Sequence, residues 1–384
     1  TMELVAPMGT RHDEILTPAA LAFVAELHTR VAGRRHELLQ ARQQQRSRFA
    51  DGIDPTFRRD TAWIRHDPTW RVAGAGPGLS RRQVEIASPC DPDRALPALG
   101  AGADVWVADL EDATSPTWDA IVESQLFLSD VLHGGRYRLP RELPTVVVRP
   151  RGWHLPEKHL VYIDRAGHRS AASGALVDVG LYLFRNAWHL IQSGSGPYFY
   201  LPKVENHFEA RLWNDVFLAA QELLGIPRGT IRATVLIENV TAAFEMEEIL
   251  WELREHCAGL NAGRWDYLFS VISNFRRRGP RFVLPDRDSL TMTVPFLRAF
   301  TESLVAACHR RGAHAIGGMS AFVPDANAPE DTAAALARIE EDKLREAADG
   351  YDGTWVTSPD VVPTARFAFV SLLGSAPNQL DRLR

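Results

Sequence analysis

Charged side chains recur just past short apolar runs in this chain. Asp109, Glu111 and Asp112 follow VWVA, Arg149 and Arg151 follow TVVV, Lys203 and Glu205 follow YFYL, and Glu238 follows TVLI. Asp266 stands at the start of another apolar run, WDYLFSV (265–271), one residue after GLNAG. Carboxylates drawn from separate strands and meeting two arginines suit a small anionic substrate held on a divalent cation. Mg2+ binds through one or two carboxylates, keeps several waters and leaves positions for substrate oxygens. A 2-oxo acid offers a carboxylate and a carbonyl oxygen as a chelating pair, and the metal polarises that carbonyl as a Lewis acid. An arginine stabilises the negative charge that then develops on oxygen. Histidine-based zinc chemistry is disfavoured, because the sequence has no HxxxH or CxxC pair.

Each of these groups also has a plainer use. Glu111 and Asp112 precede a helix start near Ser115-Pro116, where negative charge favours the helix dipole. Lys203 can simply neutralise Glu205, and His154 and His159 read as structural residues beside a surface loop. The stripe of Leu250, Trp251 and Leu253 reads as core packing. The joint occurrence of charged groups at five strand ends favours the chemical reading over any of them taken singly.

The elements that must position these groups alternate. Strand-like runs occur at VEIAS (84–88), VWVADLED (105–112), TVVVRPR (145–151), YFYLPKVE (198–205), ATVLIEN (233–239), WDYLFSV (265–271), HAIGGMSAF (314–322) and GTWVTSP (353–359). Helical spacing separates most of them, as in WDAIVESQLFLSDVL and EARLWNDVFLAAQELLG. Eight strands alternating with helices predict an α/β fold, a (β/α)8 TIM barrel over residues 83–384, with the site at the C-terminal ends of the strands. An open doubly wound sheet is the runner-up, but no glycine fingerprint follows the first run. The long connection at 152–197 is expected to hold a helix and a Gly/His-rich loop. Residues 1–82 read as an N-terminal helical segment that starts at Thr17-Pro18, an N-cap followed by proline in the first turn. A Pro/Gly-rich wrapping arm follows over 50–82.

A net charge of −5 gives no electrostatic reason to expect nucleic acid. The basic run RRHELLQARQQQRSRF (34–49) reads as a solvated helix face. Apolar runs are too short for a membrane helix, and the N-terminus lacks a signal-peptide pattern. Three scattered cysteines fit a reducing cytoplasm rather than a disulfide framework.

The stretch REHCAGLNAGRWDYLF (254–269) resembles the signature of malate synthases of the shorter A type. The resemblance extends through VWVADLEDATSPTW, VVVRPRGWHLPEKH, GSGPYFYLPKVE, TVLIEN, CHRRGAHAIGGMSAFVP and LGSAPNQL. It implies condensation of acetyl-CoA with glyoxylate, and hydrolysis of the resulting thioester, on a Mg2+-bearing (β/α)8 barrel. Glu238 and Asp266 are then the implied metal ligands. Arg149 is implied to stabilise the reacting oxygens, with Arg151 nearby. Asp109 and Glu111 are implied to line the pocket, and the loop at Gly263, Arg264 and Trp265 to bind the glyoxylate carboxylate.

Departures from the family bear on mechanism. Ser273 stands in FSVISN where the family carries lysine, and Thr357-Ser358-Pro359 replaces an Ala-His-Pro-like tripeptide. The family's C-terminal helical domain, with the aspartate that takes the methyl proton, is expected to be absent. The base then comes from a barrel residue, a neighbouring subunit or a separate protein. The expected partners are an acyl-CoA or carrier-bound thioester and a small 2-oxo acid, with a homo-oligomer as a further expectation. Two alternatives stay open: a β-hydroxyacyl (malyl) thioester lyase or hydrolase, and a metal- and ligand-binding protein without catalysis.

Overall fold

Parallel β-strands buried on both faces need helices around them and side chains inside them. The computed structural model, which describes residues 1–325 and 327–383, has this arrangement. Its strands β1 (Val84–Ser88), β2 (Val105–Asp109), β3 (Thr145–Arg149) and β4 (Tyr198–Leu201) are followed by β5 (Arg232–Ile237), β6 (Cys257–Ala262), β7 (His314–Gly317) and β8 (Gly353–Val356). They close in sequence order, and β8 pairs in parallel with β1. The fold is therefore the expected (β/α)8 barrel with a helical N-terminal region. None of the described helices is long and apolar enough to cross a membrane.

The barrel interior is a packed core. Val105, Val107, Val147, Tyr198, Tyr200, Leu236, Ile316 and Trp355 fill it, and Leu79 from the preceding arm enters the same cluster. At the N-terminal end the fully buried Arg82 donates to Glu85 at 2.6 Å, Thr234 at 2.9 Å and Tyr200 at 2.9 Å. Trp355 donates its indole N–H to Glu85 at 2.8 Å, and Tyr200 donates to the same carboxylate. These bonds compensate a buried ion pair whose desolvation would otherwise be costly.

The sixth strand differs from the sequence expectation. WDYLFSV belongs to the helix Arg264–Phe275, and the strand is CAGLNA at Cys257–Ala262. A short run of aromatic and branched residues does not distinguish strand from helix by pattern alone. Here Tyr267, Leu268 and Phe275 are buried at helical spacing while Phe269 and Ile272 face outward. The small residues of CAGLNA have weak strand propensity, but pairing with both neighbours overrides it. Several strands also end earlier than expected, so Glu111, Asp112, Arg151, Lys203 and Glu205 lie in the loops that follow them.

Residues Pro18–Ala50 form one helix, capped by the Thr17 hydroxyl, which accepts from the Ala20 N–H. It lies against the helices Gly174–Gln192 and His207–Leu224. Gly180 permits the approach: a Cβ there would stand 2.8 Å from a Val24 methyl. The long connection contains strands Pro156–Ile163 and Arg169–Ser173, which pair antiparallel with each other, and Met2–Leu4 adds to the edge. The helix expected in this connection is Gly174–Gln192, whereas the paired strands stand where the sequence suggested a Gly/His-rich loop.

His28 ties these parts together. Its Nδ1 bonds the Val24 carbonyl at 2.8 Å, and its Nε2 accepts from the Ser173 N–H at 2.9 Å. Burial lowers its pKa to about 4, and the bond from Ser173 requires the neutral ring. The unfolded chain therefore binds a proton first as pH falls below about 6.5. Stability from this site is complete above that pH and falls as pH drops toward 4. Comparing urea midpoints of wild type and His28→Gln, the wild type should lose about 2 kcal/mol more between pH 7.5 and pH 5.

Candidate metal and anion site at the barrel mouth

The site begins with one guanidinium. Arg149 ends β3 and is 1% exposed. It donates to Glu238 Oε1 at 2.8 Å and to Asp109 Oδ2 at 3.3 Å, and pairs with Asp112 at 2.9 Å and Glu111 at 3.3 Å. Its guanidinium carbon also lies 5.6 Å from the centre of the Trp355 ring. The surrounding carboxylates outweigh the cost of burial and hold its pKa well above the ordinary range.

Asp109 shapes the loop rather than the open pocket. Its Oδ1 accepts from the N–H groups of Glu111 at 2.9 Å and Asp112 at 3.0 Å, and its carbonyl accepts from Thr114 at 2.7 Å. That turn directs Glu111 and Asp112 toward Arg149. Burial pushes the Glu111 carboxyl up to about 8, and its Oε2 has no hydrogen-bond partner.

Glu238 follows the last residue of β5 and is 4% exposed. A Cβ on Gly263 would collide with its side chain, so the residue directly after β6 must be glycine. Asp266 lies in the first turn of the helix after β6, which brings it to the strand-end rim despite the shifted strand assignment. Burial, followed by the nearby Glu238 charge, raises its pKa to about 6. Oxygen atoms of Asp112, Glu238 and Asp266 can all lie within 4.8 Å of one another. Three hard oxygen donors so placed suit a divalent cation such as Mg2+, with positions left for water or substrate.

Lys203 faces this trio. Its Nζ lies 3.2 Å from Asp112, 3.4 Å from Glu238 and 3.1 Å from Asp266, and its N–H donates to Glu238 Oε2 at 2.8 Å. The plainer reading of Lys203 has it neutralise Glu205, two residues on. Glu205 instead meets Arg42 and Arg46, each at 3.4 Å. A left-handed backbone at Lys203, with φ of 54°, breaks the strand alternation that would have put the two together. Arg42 is itself buried against Glu209 and donates to the Lys203 carbonyl at 2.8 Å. The 34–49 segment is thus not simply a solvated face.

Other expected site residues are engaged elsewhere. Arg151 is bound by Asp178 and Glu157, each at 2.8 Å, and does not reach the Arg149 cluster. The Arg264 side chain meets Asp342 at 2.7 Å, Glu346 at 2.8 Å and the Gly318 carbonyl. Trp265 donates its indole N–H to Met319 O at 3.0 Å, and the Gly263 N–H goes to Ile237 O. What this segment offers an anion is the N-terminus of the helix Arg264–Phe275, whose first N–H groups have no intrahelical acceptor. Asp112 and Lys203 gain weight from the structure. The signal for Asp112 lay in the DLED run, whereas nothing local signals the turn at Lys203.

Replacing Arg151 by Met leaves Asp178 and Glu157 buried without their partner. The variant should lose about 3–5 kcal/mol of stability in urea unfolding. Where it remains folded, its affinity for Mg2+ should match wild type, because Arg151 lies outside the Asp112–Glu238–Asp266 cluster.

The chain matches two family models, "Malate synthase, TIM barrel domain" over residues 145–384 and "Malate synthase, N-terminal domain" over residues 1–62. It is 56% identical to a malate synthase of Streptomyces clavuligerus, covering 99% of this chain and 72% of that protein. A malate synthase of Myxococcus xanthus is 47% identical, with 99% of this chain and 71% of that protein covered. Among solved structures, a citrate lyase from Burkholderia xenovorans LB400 superposes with a TM-score of 0.55 at 17% identity. That match covers 77% of this chain and 80% of the other, a likeness of fold alone.

Proposed function

The chain belongs to the malate synthase family, and from that premise we propose that it is a Mg2+-dependent acyltransferase joining an acyl thioester to a small 2-oxo acid. Acetyl-CoA and glyoxylate are the proposed pair. The observation that carries this reading is the convergence of Asp112, Glu238 and Asp266 beside the buried Arg149. These carboxylates would hold the ion, which when bound supplies Lewis-acid polarisation of the 2-oxo carbonyl.

The chain's own groups account for the rest of the arrangement. Arg149 directs a fixed cation at the position where oxygen gains charge, and its rigidity means little reorganisation is needed as that charge develops. The N-terminus of Arg264–Phe275 favours the carboxylate end of the 2-oxo acid. Asp109 keeps Glu111 and Asp112 in place through its two backbone hydrogen bonds. Asp109, Glu111, Asp112, Glu238 and Asp266 each face Arg149 or Lys203. We therefore assign removal of the donor's α-proton to a group outside this cluster. A positioned base commonly contributes about 10²–10⁴-fold to such a transfer.

Thiol release from acetyl-CoA with glyoxylate and Mg2+ tests the reading. Glu238→Gln should abolish it. Arg149→Lys should reduce it by about 10²–10³-fold, because a point charge does not reproduce the planar fork. Full activity in either variant overturns the assigned role. Mg2+-dependent glyoxylate binding without turnover of any acyl thioester would point to a binding protein.

A further inference from the structure

Lys203 is placed with unusual care for a residue whose only duty is to balance charge. It is one of two non-glycine residues among those described that have a positive φ, and the conformation is held from both sides. Its N–H donates to Glu238, and its carbonyl accepts from the buried Arg42 of the N-terminal helix. The stem then carries Nζ to within 3.1–3.4 Å of oxygens from Asp112, Glu238 and Asp266. Backbone strain of this kind persists where the surroundings over-determine it, and it concentrates at working sites.

These are the same three carboxylates that suit a divalent cation. The lone pairs taken up by the ammonium are the ones an ion would need at ~2.1 Å. Two cations sharing them would also repel at such short range. We propose that Lys203 is a tethered counter-ion: it holds the three carboxylates together while the metal is away and is displaced when the metal binds. This rests on the metal reading of the site given above.

The structure also offers a place for the displaced side chain. A cavity of about 470 Å³ adjoins the cluster, lined by Lys203 together with Arg46, His154, Glu205, Asp266 and Asn274. Rotation of the lysine stem into this cavity takes Nζ off the carboxylates while the backbone anchors at Glu238 and Arg42 stay fixed. The ammonium keeps its proton throughout, so the exchange is one cation for another. Its consequence is a metal affinity set below what the three carboxylates alone would give.

Two measurements test this without reference to turnover. In isothermal titration at fixed pH, Lys203→Met should bind Mg2+ about tenfold more tightly than wild type, since the competing charge is gone. In wild type, reductive methylation of Lys203, followed by mass spectrometry, should accelerate several-fold at saturating Mg2+. This second arm stands even where the variant does not fold. Equal or weaker Mg2+ affinity in the variant, or methylation unaffected by Mg2+, overturns displacement while leaving the metal site intact. Absence of Mg2+ binding in wild type overturns the metal reading and this proposal together.

Discussion

Like charges do not gather unaided in a low-dielectric site, and at this barrel mouth the Arg149 guanidinium makes the gathering possible. One planar cation at the end of β3 meets groups from the loop after β2 and from the end of β5. Its several N–H donors, fixed in one plane, explain why arginine suits the position. The barrel supplies the matching constraint. Parallel strands in register bring Asp109 directly opposite Arg149, so their pairing is built into the β2–β3 ladder.

The N-terminal helix Pro18–Ala50 supports the site as well as flanking it. Its Arg42 reaches the Lys203 carbonyl and the Glu209 carboxylate, while Arg35 donates to the Trp153 carbonyl at 2.7 Å. Glu209 in turn accepts from the Glu205 N–H. The loop after β4 is thereby fixed by a helix distant in sequence, so residues outside the barrel help to set the geometry of a rim residue. The close packing allowed by Gly180 keeps that helix near enough to do so.

Much of this was legible in the sequence because strand ends and barrel rims coincide. Arg149, Glu238 and the Asp109–Asp112 run follow unmistakable apolar strands, and the alternation of elements specified the barrel. Asp266 was expected at the rim although its element was misassigned, because a residue just after one strand and a residue on a displaced strand lie close in the chain. Side-chain direction was less legible. Arg151 follows Arg149 by two residues and shared its expected role, yet the chain leaves the strand between them and Arg151 turns to Asp178. Arg264 is likewise claimed by Asp342 and Glu346, residues about 80 positions away whose approach no local pattern encodes. Lys203 depends on a backbone dihedral that only tertiary contacts enforce.

The polar plug at the other end of the barrel has a consequence for traffic. Arg82, Glu85, Tyr200 and Trp355 fill the interior, and Tyr198 bonds the arm at Pro77, so the barrel has a floor rather than a passage. Anything that reaches Arg149 enters and leaves through the same mouth. For the proposed reaction, both partners share that one opening, so a small molecule seated beside Arg149 is held in for as long as a larger one covers the mouth.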